Sequence, residues 1–121
     1  MNKRKVGCIG SGVMGSALMD AVISVIGSSE VAIRDSDTTK AEAFAAKTGC
    51  TRLDTNRSIV ESSTFVFLAV KPQYLPQVLE DISPVISEDT ILVSMAAGVR
   101  IEQIKKHLDR HPKIIHHAQY A

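Results

Sequence analysis

A chain of 121 residues with 45% hydrophobic side chains, 22% charged ones and a net charge of +1 has the make-up of one globular domain with its own core. That near-neutral charge excludes the basic face of a nucleic-acid binder, and the absence of Trp weakens a base-stacking platform. Cys8 and Cys50 fit no metal spacing and no disulfide framework, so buried free thiols in a reducing compartment are expected.

The opening "MNKRK" and the following "VGCIGSGVMGSALMDAVISVIG" imitate the basic and apolar regions of a signal peptide. Gly7, Gly10, Gly12 and Gly15 interrupt the apolar run and Asp20 charges its middle, which a signal peptide does not tolerate. No apolar stretch is long enough to span a bilayer. A cytoplasmic protein is expected, with no membrane partner.

In chain order the pattern alternates strand and helix. "KVGCIG" (5–10) is a β-prone run ending in glycine. Met14, Leu18, Val22 and Val25 then recur at helical spacing. "EVAIRD" (30–35) reads as a second strand, and Asp37 as the N-cap of an Ala-rich helix over 38–48 that Gly49 ends. "CTRL" is a brief third strand, and 56–62 a short helical turn. "TFVFLAV" (64–70) is apolar throughout, as a strand buried on both faces should be. Pro72 permits a helix start, with Leu75, Val78, Leu79 and Ile82 as its stripe. "TILVSMA" (90–96) is the fifth strand. A helix carrying Ile101, Ile104 and Leu108 follows, stopped by Pro112, and "KII" begins a sixth strand. Strands separated by single helices imply βαβ units: an α/β domain with a doubly wound parallel sheet of the Rossmann type over 1–115.

"GSGVMG", Gly10 to Gly15, is G-x-G-x-x-G placed between a predicted strand and a predicted helix. Gly10 suits a tight turn, Gly12 lets a pyrophosphate approach the backbone, and Gly15 allows close helix–strand packing. The helix N-terminus adds N–H donors and a positive dipole end. Asp35, twenty residues beyond Gly15, stands where a carboxylate accepts hydrogen bonds from ribose hydroxyls and repels a 2′-phosphate. Arg34 and Ser36 flank it and suit that phosphate instead, so the choice between NAD and NADP stays open. The remaining loops at strand ends are "AVKPQ" (69–73) and "MAAGV" (95–99), where ligands of open α/β sheets lie.

Taken in order, "VGCIGSGVMGSAL", "FVFLAVKPQ" and "LVSMAAGV" resemble pyrroline-5-carboxylate reductases, over residues 4 to about 115. The resemblance implies that Gly10, Ser11, Gly12, Val13 and Met14 cradle the pyrophosphate of NAD or NADP. It implies that Asn56 lies near the adenosine side. Ala69, Val70, Lys71 and Pro72 would line the nicotinamide-side ribose, and Ala96, Ala97 and Gly98 the meeting point of nicotinamide and substrate ring. The implied reaction is reduction of 1-pyrroline-5-carboxylate to proline by NAD(P)H. No catalytic proton donor and no metal site is assigned. Asp35 departs from the residues that suit NADPH in this family.

The end departs too. After "II" the family continues with a loop like Arg-x-Met-Pro-Asn-Thr-Pro, then a helical domain that forms its homo-oligomers and most of the substrate pocket. Here the chain reads "HHAQYA" (116–121). Those residues can be coded CAC CAT GCC CAA TAC GCC, which one base later reads Thr-Met-Pro-Asn-Thr. Residues 116–121 are therefore expected to be an aberrant, frameshifted tail, with the helical domain absent and the chain alone inactive. His116 and His117 point to opposite faces of a strand, against a metal pair. His107 and His111 share a helix face and are expected as exposed helix-end residues. Two alternatives remain: another imine or 3-hydroxyacid reductase, and a non-catalytic nucleotide-sensing module.

Overall fold

A computed structural model describes residues 3–10, 12–96, 98–110 and 112–116. Among them, six strands form one parallel sheet: β1 (Arg4–Ile9), β2 (Val31–Arg34), β3 (Thr51–Arg52), β4 (Ser63–Leu68), β5 (Ile91–Ser94) and β6 (Lys113–His116). Their spatial order is β3-β2-β1-β4-β5-β6. The order reverses between β1 and β4, the position where doubly wound sheets open a crevice at the carboxyl ends of the strands.

Five helices make the crossovers: α1 (Val13–Ile26), α2 (Thr38–Thr48), α3 (Asn56–Ser62), α4 (Leu75–Ile82) and α5 (Ile101–Lys105). Local chemistry sets several of their ends. The Asp37 carboxylate accepts from Lys40 N–H at 3.2 Å and starts α2. Gly49, at φ 81°, ends that helix and donates to the Ala45 carbonyl at 2.8 Å. Thr55 Oγ1 accepts from Ser58 N–H at 3.0 Å and starts α3.

Apolar side chains divide between the two faces of the sheet. Met19 of α1 with Ala41 and Phe44 of α2 pack on Val6, Cys8, Val31 and Ile33. On the other face Ile59, Leu75, Leu79, Ile82 and Ile104 pack on Val66, Leu68 and Leu92. Cys8 and Cys50 are both buried and free.

The structure trims and corrects several sequence expectations. The strand over 64–70 is Ser63–Leu68 and is not buried on both faces: Val66 and Leu68 are sealed, but Phe65 is 38% exposed. Behind Pro72 stands a short 3-10 turn, Pro72–Tyr74, before α4 begins. α5 is only five residues long, so Leu108 is buried from a turn beyond it rather than from the helix. His107, expected as an exposed helix-end residue, is half-buried and its Nδ1 lies 2.9 Å from Glu80 Oε2 of α4. His111 and 117–121 lie outside the described residues, whereas the backbone of His116 pairs with Ser94 in the sheet. Among the described residues no helix is long and apolar enough to cross a membrane.

Candidate functional site

The carboxyl ends of β1, β2 and β4 are laced together. Gly10 N–H donates to the Arg34 carbonyl and Ala69 N–H to the Ile9 carbonyl, each at 2.8 Å. These bonds bring the β1–α1 loop, the β2–α2 turn and the β4–α4 loop around one cleft of about 820 Å³.

The three glycines of the first loop sit in different surroundings. Gly10 has φ +100°, and a Cβ there would stand 2.6 Å from the Ala69 carbonyl oxygen. A Cβ on Gly15 would stand 2.9 Å from the Gly10 carbonyl oxygen and 3.0 Å from Ala69 Cβ. Both positions are closed by the protein itself. Gly12 differs: its φ is an ordinary −66°, and a Cβ there meets nothing within 4 Å. It is the N-cap of α1, a position that glycine shares with Ser, Thr, Asp and Asn, and it faces the cleft. Neither packing nor backbone conformation accounts for glycine at this position. Val13 and Met14, in the first turn, are 93% and 50% exposed. Ser11 lies outside the described residues.

Cys8 braces the loop from below, its thiol donating to the Gly10 carbonyl at 3.2 Å. Complete burial, with the Asp35 charge adding to it, pushes that thiol up to about 12, so it stays protonated as the bond requires.

At the β2 end of the cleft, Asp35 Oδ1 accepts from Asp37 N–H at 2.8 Å, which ties the carboxylate into its own turn. Arg34 Nη1 donates to Asn56 Oδ1 at 3.1 Å, and Asn56 is buried. Ser36 and Lys40 face the same space. At the β4 end Ala69, Val70 and the exposed Lys71 line the cleft, joined by Tyr74, Gln77 and Val78.

Thus Gly10, Gly12, Asp35, Ser36, Asn56, Ala69, Val70 and Lys71 come together, with Gly15 packed beneath the loop. Pro72 and Gly98 instead border a separate hollow of about 250 Å³, beside Leu75, Val99 and His107. Ala96 is buried in the core, and Ala97 lies outside the described residues. Sequence reasoning missed Lys40, Tyr74, Gln77 and Val78 as lining residues. The available signal was their place at the start of the helices that follow β2 and β4: Lys40 in α2, Gln77 and Val78 in α4, and Tyr74 in the turn just before α4. A further hollow of about 860 Å³ lies at the opposite, amino ends of the strands, among Lys3, Lys5, Thr64 and Asp89. Open α/β sheets bind ligands at the carboxyl ends, so the glycine-lined cleft is the candidate.

A family model described as "NADP oxidoreductase coenzyme F420-dependent" matches residues 5–98. The chain belongs to this family. Among curated proteins similar to it, pyrroline-5-carboxylate reductase 3 of Xenopus laevis is 37% identical over 112 residues, covering 91% of this chain and 40% of that protein. Pyrroline-5-carboxylate reductase of Escherichia coli K12 is 28% identical over 115 residues, covering 93% and 43%. A solved pyrroline-5-carboxylate reductase from Coxiella burnetii superposes with a TM-score of 0.87 at 26% identity, covering 95% of this chain and 43% of that one. The Plasmodium falciparum enzyme, solved with NADP bound, shares the fold at a TM-score of 0.79 and 24% identity, covering 96% and 42%. This family member therefore spans about 40% of the length of the relatives it matches.

Proposed function

We propose that this chain is the cofactor-binding part of a pyrroline-5-carboxylate reductase and holds NADP or NAD in the glycine-lined cleft. The observation that carries the reading is Gly12. A glycine that its own protein leaves without neighbours, at the mouth of a helix N-terminus, is accounted for by a ligand that must reach the backbone. The names of the relatives and the family of NADP oxidoreductases support the same reading.

In this reading Gly10, Ser11, Gly12, Val13 and Met14 supply the loop and helix start that take the pyrophosphate, with Gly15 letting α1 lie close. Asp35, Ser36 and Asn56 address the adenosine ribose. Ala69, Val70 and Lys71, which line the cleft, address the nicotinamide-side ribose, while Pro72, Ala96, Ala97 and Gly98 keep the nicotinamide-side and substrate-side roles that the resemblance implies. When bound, the dinucleotide would supply a hydride to the C=N carbon of 1-pyrroline-5-carboxylate, and a proton taken up at the ring nitrogen from solvent would complete proline. The chain's residues contribute orientation and electrostatics. No residue of this chain is assigned as proton donor. The facing wall of the substrate pocket, and the homo-oligomer, belong in this reading to the remaining length that the relatives possess. A cytoplasmic setting suits two buried reduced thiols.

Calorimetric titration with NADPH and NADH, on the 121-residue chain and on its Gly12→Val variant, tests this. Binding by the parent and none by a variant of unchanged stability is the expected result. Equal binding by both chains would remove Gly12 from the site.

A further inference from the structure

Gly10 stands between two ladders. Its N–H still extends the sheet, donating to the Arg34 carbonyl at 2.8 Å, and α1 begins its own ladder with Ser16 N–H on the Gly12 carbonyl. The Gly10 carbonyl follows the end of β1 at Ile9 and precedes that first helical bond. It is turned inward all the same, since a Cβ on Gly15, beneath the loop, would stand 2.9 Å from its oxygen. A carbonyl so placed needs a donor, and a side chain supplies one: the Cys8 thiol, 3.2 Å away and fully buried. A buried cysteine ordinarily fills space as a small apolar side chain. Cys8 does belong to the apolar cluster of Val6, Met19, Val31 and Ile33, yet its one donor is spent on the glycine loop. A trans peptide points its C=O and its N–H in opposite directions. Holding the Gly10 carbonyl inward therefore turns the N–H edge of the same peptide unit outward, on the side of the cleft that Gly10 and Gly12 line. N–H edges presented in this way ahead of a helix are what bind anions.

We propose that Cys8 is a positioning residue for the dinucleotide: its thiol, by holding the Gly10 carbonyl, fixes the peptide unit whose N–H edge faces the pyrophosphate. The inference rests on the dinucleotide reading above and adds to it a residue that acts through the backbone without touching the ligand. It also makes the two events interdependent. An N–H that donates to a phosphate polarises its own peptide unit and makes the carbonyl a better acceptor. Ligand and thiol then strengthen each other's bond through the one unit they share. A cysteine that served packing alone would carry no such link.

The first test reads the S–H stretching bands of the 121-residue chain by infrared spectroscopy, with NADPH or NADH added to saturation. The bands of the two free thiols are told apart by their loss in Cys8→Ser and Cys50→Ser. The Cys8 band should move to lower frequency as the cofactor binds, and the Cys50 band should stay in place. This measurement uses the unaltered chain, so it does not depend on a variant folding. The second test is calorimetric titration of two variants with the same cofactors. Cys8→Val fills the space without a donor and should bind about five- to tenfold more weakly, whereas Cys8→Ser keeps a donor and should stay within roughly threefold of the parent. A Cys8 band that does not move at saturation, a Cys8→Val chain with the parent's affinity, or equal weakening by Val and Ser overturns the proposal. Binding of neither cofactor by the parent overturns the dinucleotide reading beneath it, and the proposal with it.

Discussion

Alanine at Gly10 would place a Cβ 2.6 Å from the Ala69 carbonyl oxygen while holding φ at +100°, a conformation side chains rarely adopt. Alanine at Gly12 would meet nothing and needs no change in backbone. Urea unfolding should therefore show Gly10→Ala destabilised by about 2–4 kcal/mol and Gly12→Ala within about 0.5 kcal/mol of the parent. Loss of stability in the second variant would mean that the loop packs differently. Asp35 gives a prediction of another kind. Removing its charge beside a 2′-phosphate relieves a repulsion, so Asp35→Asn should tighten NADPH more than NADH, on the order of tenfold in the ratio. Equal changes for both would place its carboxylate away from the 2′ position. Cys8 carries a pH dependence. Its thiol, pushed from 9.0 to about 12 in the folded chain, stays protonated while the unfolded thiol ionises. Between those values the native state binds more protons, so stability is complete below the unfolded value and falls as pH rises through this window, by up to about 1.4 kcal/mol per pH unit. The difference in urea midpoint between the parent and Cys8→Ala should shrink over that range, and a constant difference would contradict it.

Helix α3 carries function by where it begins. Thr55 caps it and Asn56, its first residue, reaches Arg34 at the cleft, so Thr55→Ala should cost about 1 kcal/mol in urea unfolding and also weaken dinucleotide binding. Unaltered dinucleotide binding with the expected loss of stability would separate the cap from the site. The elements that could be read in the sequence are those fixed by near neighbours. Asp37 and Gly49 bound α2 through contacts three or four residues away, and the G-x-G-x-x-G spacing places the first loop directly. What escaped is what distant chain decides. The end of α5 at Lys105, the exposed face of Phe65 and the Glu80 partner of His107 all depend on which helices reach which part of the sheet. The same holds in the site. Gly12 and Asp35 are legible from spacing, but the link from Arg34 to Asn56 exists only because β2 and the start of α3 meet above β1.

Across the whole molecule the two faces of the sheet are unequally covered. Phe65 and Phe67 of β4 lie in register with Ile91 and Val93 of β5, and Val93 with Ile115 of β6, giving an apolar strip on one face. Phe65 is 38% and Ile115 49% exposed on it. Sedimentation velocity should accordingly find concentration-dependent association of the 121-residue chain, reduced in a Phe65→Ser, Ile115→Lys variant. A parent that stays monomeric throughout would show that the strip is too small to drive association. Because the proposed function puts the facing wall of the substrate pocket in the remaining length of the relatives, the 121-residue chain assayed by itself should not turn over pyrroline-5-carboxylate above background. The most direct test of the central claim is to follow the backbone amide resonances of the isotopically labelled chain as NADPH is added. Progressive shifts centred on Gly12, Ser36 and Lys71, at the carboxyl ends of the strands, are the predicted result. Shifts confined to Lys3, Lys5 and Thr64 at the amino ends, or no shifts at millimolar NADPH, would contradict it.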